Sequence, residues 1–437
     1  MKRTFRKGGI HPPEHKELTE WKAIEVLPPP PLLYIPLSQH TGAPASLKVS
    51  PGDSVAMGAL IGEASGYVSA NVHASVSGKV KEIVKRQNHL GAFTDYVVIE
   101  NDGRDLWAEG RNSSRAYEHL TPDEIRNIIF EAGIVGMGGA AFPTHVKLNP
   151  PKEKKIDALI INGSECEPYL TCDHRLMIEK ASNVATGILL LKKALGVDKV
   201  IIGIEENKFD AYSKMRAIFL SDPSVSVVLL KVKYPEGAEK QLISALLNRE
   251  VPSGGLPMDV GVVVQNVGTA YATYEAVVMG RPLVERVVTV SGDGVKKKGN
   301  YLIRIGTPIQ YILEACGVED GIKKIIMGGP MMGVAISDKM LPVVKGTSGI
   351  LVMKGAASYE ERECVRCGRC IDACPMGLEP TAIARAVKNC EREAYIDLHP
   401  MDCMECGSCA YVCPARIELV QYIKQAKLEV IKARQKN

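Results

Sequence analysis

The sequence predicts a multidomain α/β protein, and three observations carry that prediction. The chain has 437 residues, a length that corresponds to about three domains at ~150 residues each. Residues 115–282 alternate strand-like and helix-like segments four times, the pattern of a mainly parallel sheet with helices on its faces. Nine of the 12 cysteines fall between Cys364 and Cys413, which marks off a cysteine-rich end. Hydrophobic residues make up 46% and charged residues 24%. That supports several apolar cores and excludes a disordered chain, a collagen or a coiled-coil rod. The net charge of +4, from 54 basic and 50 acidic residues, is too mild to argue for nucleic acid.

Residues 1–31 form a polar arm that ends in the proline run Pro28 to Pro31, a stiff extended stretch that serves as a linker or wraps the surface. The basic start has no apolar stretch behind it and is no signal peptide. No apolar run reaches the ~18 residues of a membrane helix. The chain is therefore expected in the cytoplasm, with membrane contact only through partners.

Residues 32–102 read as all-β, with turn signals at Pro51-Gly52-Asp53, Gly58, Gly62, Gly66 and Gly78. KVSPGDSVAMGALIGE and VSGKVKEI resemble the barrel-sandwich of lipoyl and biotinyl carrier domains. Those carriers bear a modified lysine at a hairpin tip. The matching stretch, Asn71 to Ala74, has none, so the module is expected to be structural and unmodified.

The domain at 115–282 opens with an N-cap at Thr121, proline at the first helical position and acids in the first turn, and Gly133 ends that helix. Four strand–helix pairs follow, predicting a Rossmann-like parallel sheet. HRLMIEKASNVATGILLLKKALG reads as one helix. Ligands of such sheets bind at the carboxyl ends of the strands. Residues 283–355 have the size and mixed pattern of a small β-grasp domain of the soluble-ligand-binding type. Residues 356–437 hold the cysteines, joined by a helix, and finish in a basic amphipathic helix.

The strongest motif is Cys364-x2-Cys367-x2-Cys370-x3-Cys374-Pro375, repeated as Cys403-x2-Cys406-x2-Cys409-x3-Cys413-Pro414. This is the spacing of bacterial ferredoxins with two [4Fe–4S] clusters, in which the fourth cysteine ligates the other cluster. Cluster one is thus assigned to Cys364, Cys367, Cys370 and Cys413, and cluster two to Cys403, Cys406, Cys409 and Cys374. Zinc sites use paired Cys-x2-4-Cys elements, not four-cysteine runs closed by proline. Two adjacent one-electron centres form an electron wire. Cys390 and Cys316 are expected to be buried structural thiols. Cys166 and Cys172 lie six residues apart, which leaves a redox role open. The histidines show no metal-ligand spacing.

Two further segments bear on what feeds the wire. Gly136-Met137-Gly138-Gly139-Ala140-Ala141 has a GxGxxA pattern. It follows a predicted helix and not a strand, so the dinucleotide fingerprint fails. Its glycines still let backbone N–H groups approach a phosphate. Asn162-Gly163-Ser164-Glu165-Cys166-Glu167-Pro168 follows a predicted strand, where an amide and two acids suit ligand hydroxyls and ring nitrogens.

Together, GMGGAAFPTHVKL and NGSECEP resemble the FMN- and NADH-binding subunit of respiratory complex I, with its GRGGAGFPTGLKW and Cys-Asn-Ala/Gly-Asp-Glu-x-Glu-Pro boxes. The resemblance implies an FMN phosphate and ribityl chain over Gly136, Gly138, Gly139 and Lys147. It implies that Asn162, Ser164 and Glu165 line the flavin, that Phe142 stacks on nicotinamide or adenine, and that Glu167 holds a nucleotide hydroxyl. Gly237-Ala238-Glu239-Lys240 matches that family's Gly-Glu-Glu-Thr stretch, making Glu239 a nucleotide candidate. Gln265 and Asn266 match its paired asparagines beside the isoalloxazine. Met137 stands where the family has arginine and Ser164 where it has aspartate. Lys240 replaces a threonine and supplies a positive charge in the arginine's stead.

The order of parts, from FRKGGIHPPEHKELT to the dicluster ending, resembles the RnfC family, the C subunits of Rnf complexes, over essentially the whole chain. That implies an FMN- and NAD(H)-binding electron-transfer component of a membrane-bound, Na+- or H+-translocating ferredoxin:NAD+ oxidoreductase. Its partners would be the other subunits of the Rnf membrane complex, with ferredoxin reached indirectly and no nucleic acid. It would sit on the cytoplasmic side of the membrane, held through those partners. Hydride transfer needs orientation and no catalytic acid or base. Two alternatives stay open at this point: a soluble flavin and iron–sulfur cobalamin reductase of bacterial microcompartments, and a non-catalytic iron–sulfur adaptor.

Overall fold

A computed structural model describes residues 2–355 and 359–436. The expected start of the last domain, at 356, lies outside the described residues.

The all-β module is two small sheets packed face to face. One holds Leu32–Pro36, Phe93–Asn101, Gly78–Gln87 and Ser54–Val55, and the other Ser46–Leu47, Leu60–Glu63 and Val72–His73. Alternate residues such as Leu33, Ile35, Val97 and Ile99 point into the shared core, the period of two that a half-buried strand requires. Asn71 and Ala74 are buried. The Asn71 carbonyl accepts from Lys345 Nζ, and Ser75 Oγ bonds the Ile305 carbonyl. A carrier lysine would need this tip free in solvent, and here it is a domain contact.

The central domain has a four-stranded, wholly parallel sheet in the order Val225–Leu230, Lys199–Glu205, Ala158–Gly163, Val262–Asn266. Helices cover both faces, so Leu159, Ile160 and Ile161 are all buried and the strand reads as an unbroken apolar run. The chain builds outward from Ala158–Gly163 in one direction and then returns to add Val262–Asn266 on the other side. Their diverging carboxyl ends form a topological switch point, where such sheets bind ligands.

The helix Pro122–Glu131 carries the expected Thr121 cap, as a full capping box with Glu124. The helix predicted as one piece is two, Cys172–Glu179 and Ala181–Leu195, broken at Lys180. The break lets the first piece run below the switch point while the second packs along helix Val267–Val277.

The β-grasp-sized domain is a mixed six-stranded sheet with the helix Ile309–Cys316. Its edge strand, Ile24–Val26, comes from the arm and pairs in parallel with Gly299–Arg304. The arm wraps. Arg3 pairs beside Leu230, Ile10 exchanges hydrogen bonds with Tyr234, and Gly9 N donates to Ala373. Lys16 is buried and gives its ammonium to the carbonyls of Glu165, Glu167 and Leu170.

The last domain is helical: Arg369–Ala373, Pro380–Lys388, Arg392–Asp397, Ser408–Tyr411 and Leu419–Lys436. No helix among the described residues is long and apolar enough to cross a membrane. Cys316 is buried, as expected, whereas Cys390 is exposed. It lies just past the end of helix Pro380–Lys388 with a positive φ of 58°, outside the apolar face that the helix buries.

Candidate functional site: a flavin crevice wired to two cysteine nests

The glycine segment is a loop closed at its base, where Gly136 N donates to the Phe142 carbonyl and Thr144 N to the Ile134 carbonyl. Met137 turns inward to the core, and its N–H bonds Thr269 Oγ1 at 2.9 Å. Gly138 and Gly139 are exposed. Gly139 has φ +109° with nothing within 4 Å of the place a Cβ would take, so only glycine sits there without strain. Two neighbouring domains brace this loop. Thr41 bonds the carbonyls of Ala140 and Ala141. Arg286, fully buried, bonds the Lys345 carbonyl and reaches toward the Met137 carbonyl at 3.5 Å.

The acid-rich segment starts where strand Ala158–Gly163 ends. Asn162 and Asn266 are register partners across the switch point. Asn162 bonds the Gly237 carbonyl at 2.8 Å and accepts from Ser164 N. Asn266 caps helix Val267–Val277 through Gly268 N and donates to Asp173 Oδ2 at 2.7 Å. Lys147 Nζ lies 2.7 Å from Glu239 Oε1 and also bonds the Val264 carbonyl, so these two candidates meet across the crevice. Phe142, at the end of the glycine loop, and Lys240, in the first turn of helix Glu239–Leu247, are half-buried.

Two expected ligands also make contacts within the chain. The Glu165 carboxylate accepts from Asp173 N and His174 N, which caps the start of helix Cys172–Glu179, where negative charge is favoured. Glu167 accepts from the amides of Met331 and Met332 at 3.0 and 2.9 Å. Burial nevertheless pushes its carboxyl up to about 7. Glu167 thereby clamps the Gly329–Gly333 turn, and its carboxylate keeps further acceptor capacity for the nucleotide hydroxyl that the resemblance implies.

The residues at the switch point fit a flavin. Ser164 Oγ and Gln265 Nε2 are buried with no hydrogen-bond partner, an arrangement that costs about 1–3 kcal/mol per group until a ligand satisfies it. The bare Gly138 leaves room beside Asn266, and Gly139 faces open space. Asp173, Thr269, Thr41 and Arg286 complete the frame. None was singled out in the sequence. Asp173 had a local signal, seven residues beyond Cys166, while Thr41 and Arg286 lie in other domains and had none.

The two cysteine motifs fold alike. In each, a glycine with φ 77° (Gly368, Gly407) starts a short helix that carries the third cysteine. In each, the amide two residues past the first cysteine points at its sulfur, Arg366 N to Cys364 and Glu405 N to Cys403. Cys374, Cys403, Cys406 and Cys409 together line one pocket with Pro375, Leu378 and Ile423. Cys370 and Cys413 share an apolar cluster with Ala384 and Ile417, while Cys364 and Cys367 are exposed. Burial raises the Cys403 thiol to about 11, and a bound cation would favour its thiolate. A cubane's irons would supply that charge, and the all-sulfur donor sets fit it.

Family models match each part: the RnfC barrel sandwich hybrid domain over residues 4–104, the Nuo51 FMN-binding domain over 129–275, the SLBB domain over 287–335 and the 4Fe-4S dicluster domain over 363–417. The C subunit of the proton-translocating ferredoxin:NAD(+) oxidoreductase complex of Clostridium ljungdahlii is 49% identical over 433 residues, 98% of this chain and 94% of its own. The chain belongs to the RnfC family. The Na(+)-translocating counterpart from Acetobacterium woodii is 46% identical, covering 98% of both chains. The C subunit of an ion-translocating oxidoreductase complex from Rhodobacter capsulatus is 43% identical over 96% of this chain and 82% of its own. An NAD+-reducing [NiFe]-hydrogenase structure matches 71% of this chain and 63% of its own at TM-score 0.49 and 19% identity. Membership in the RnfC family carries an FMN-binding domain and a dicluster domain with it, and it favours the membrane-complex reading over a soluble cobalamin reductase.

Proposed function

We propose that this chain is the NAD(H)- and FMN-binding electron-transfer subunit of an ion-translocating ferredoxin:NAD+ oxidoreductase. The observation that carries it is the meeting, at one switch point, of the exposed glycine loop, the orphaned Ser164 and Gln265 donors and the Lys147–Glu239 pair. When bound, FMN supplies the exchange between two-electron hydride chemistry and one-electron transfer. On this reading the backbone at Gly136, Gly138 and Gly139 and the Lys147 ammonium hold its phosphate. Asn162, Ser164, Gln265 and Asn266 orient its ring, and Phe142, Glu239 and Lys240 receive the nucleotide. Cys364, Cys367, Cys370 and Cys413 hold one [4Fe–4S] cluster, and Cys374, Cys403, Cys406 and Cys409 the other. The chain sits peripherally on the cytoplasmic side of the membrane through its partner subunits, and ferredoxin reaches it through one of them.

The test is anaerobic purification with iron and flavin quantitation, followed by NADH titration read by visible absorption and EPR. Eight irons, one flavin, bleaching of the flavin and two interacting reduced-cluster signals are expected. Eight irons without flavin, or no bleaching at saturating NADH, would overturn the reading.

A further inference from the structure

The two cysteine sets stand differently toward the crevice. One short segment, residues 234–241, touches both the crevice and one set. At Gly237 a Cβ would meet Cys166 Sγ, Ser164 Cβ and Asn162 Oδ1 within 3.6 Å, and Glu239 holds Lys147. From the same segment, the buried Tyr234 gives its hydroxyl to the Cys406 carbonyl at 2.8 Å, and Gln241 Nε2 bonds the Pro375 carbonyl, next to Cys374. Tyr234, Ile10 and Cys406 share one apolar cluster, against which Cys166 of the flavin box packs. The turn that Glu167 clamps lies on the same side, with the Met331 carbonyl 3.1 Å from where a Gly407 Cβ would be. Ser253 and Gly254 of the central domain hold Asp402, just before Cys403.

In the other set, Ala373 of the Cys370 helix and Val412 beside Cys413 reach the same apolar cluster, but the Cys364–Cys367 loop makes no hydrogen bond to the central domain among the described residues. Cys364 and Cys367 are exposed, and Val365 between them is 68% exposed. The neighbouring hydrogen bonds of this loop, Arg362 to Ala415 and Cys370 to Thr381, stay inside the last domain.

We infer that the cluster of Cys374, Cys403, Cys406 and Cys409 is the flavin-side cluster, that the Cys364 set is the outer one facing a partner, and that Tyr234 is the residue that positions the inner loop against the crevice. This rests on the function proposed above. The balance is NADH plus two oxidised cubanes giving NAD+, one proton and two reduced cubanes, and the reverse for NAD+ reduction. Each cubane gains or loses one electron.

Three anaerobic preparations of the full chain test it: Cys367→Ala, Cys403→Ala and Tyr234→Phe, each mixed rapidly with NADH and followed by flavin absorbance and freeze-quench EPR. Iron content establishes how many clusters each preparation retains. With the outer cluster removed by Cys367→Ala, the remaining cluster is expected to be reduced in the fast phase. With the inner cluster removed by Cys403→Ala, the fast phase of cluster reduction is lost although dithionite still reduces the outer cluster. The opposite ranking, or equal rates, would overturn the order. If a cysteine variant loses both clusters, Tyr234→Phe decides, because it removes one hydroxyl and no ligand. It is expected to shift the EPR signal or midpoint potential of the inner cluster only. Unchanged signals and potentials for both clusters would overturn the role of Tyr234. Absence of flavin bleaching in the unmodified protein would instead sink the underlying function, so the two failures are distinguishable.

Discussion

Single residues place ionisable groups where charge is expensive. Glu236 is buried, with one oxygen held by Thr4 and the other without a partner. Burial pushes its carboxyl from near 4.5 up to about 8. The folded state therefore keeps a proton that the unfolded chain has released, and stability falls as pH rises from about 4.5 to about 8. Glu236→Gln removes that titration. Its melting temperature relative to the unmodified protein should climb across this window, and parallel curves would refute the assignment. Lys147 makes the complementary case. Replacing it with Met leaves Glu239 without its cation and, on the function proposed above, removes an ammonium that holds the phosphate. A charge-assisted bond of about 1.5–3 kcal/mol corresponds to about a 10- to 100-fold loss of FMN affinity, read as flavin per polypeptide after gel filtration.

At the scale of elements, close approach and not propensity decides the central domain. Gly187 lies mid-helix in Ala181–Leu195, where a Cβ would stand 1.8 Å from the Ala270 carbonyl oxygen. The two helices touch backbone to backbone beneath the glycine loop. Gly187→Ala would improve helix propensity by about 1 kcal/mol yet is expected to destabilise by about 3 kcal/mol or more, since overpacking forces the helices apart. Thermal unfolding measures the sign. A neutral or raised midpoint would show that the contact relaxes easily. The GxGxxA loop makes the same point about context. Its glycines were readable as a phosphate cradle, but what holds the loop is Thr41 from the β module and Arg286 from the mixed sheet. No local pattern announces those two.

For the whole molecule, the joints are polar and buried. Lys345 is fully buried in the mixed-sheet domain and donates to Asn71 of the β module and Gly133 of the central domain. Lys345→Met strands two buried carbonyls, at about 1–3 kcal/mol each. The variant should melt earlier and be cut sooner by protease between the domains, with an unchanged protection pattern counting against a three-domain joint. The arm works likewise. Its first ten residues reach Leu230, Tyr234 and Ala373, so it ties the central domain to the cluster domain.

Much of this was legible in the chain. The strand–helix alternation yields the parallel sheet because each period reports which face is buried. The Thr121 cap and the cysteine spacings are local chemistry, complete within a few residues. The expected crossing of Cys374 to the Cys403 set rests on spacing, and those four cysteines line one pocket. The break at Lys180 was not legible, because the apolar pattern continues through it, nor was the exposure of Cys390.

What the sequence determined by itself is the parts list: a parallel-sheet domain with a glycine loop and an acid-rich turn, and two four-cysteine motifs. Tertiary structure alone decided how the parts face one another. It turned Glu165 and Glu167 into a helix cap and a clamp, and it joined the crevice to the Cys406 loop through Tyr234. The reason is physical. Hydrogen bonds between residues separated by more than a hundred positions leave no periodicity in the chain, and they form only after the cores have brought those residues together.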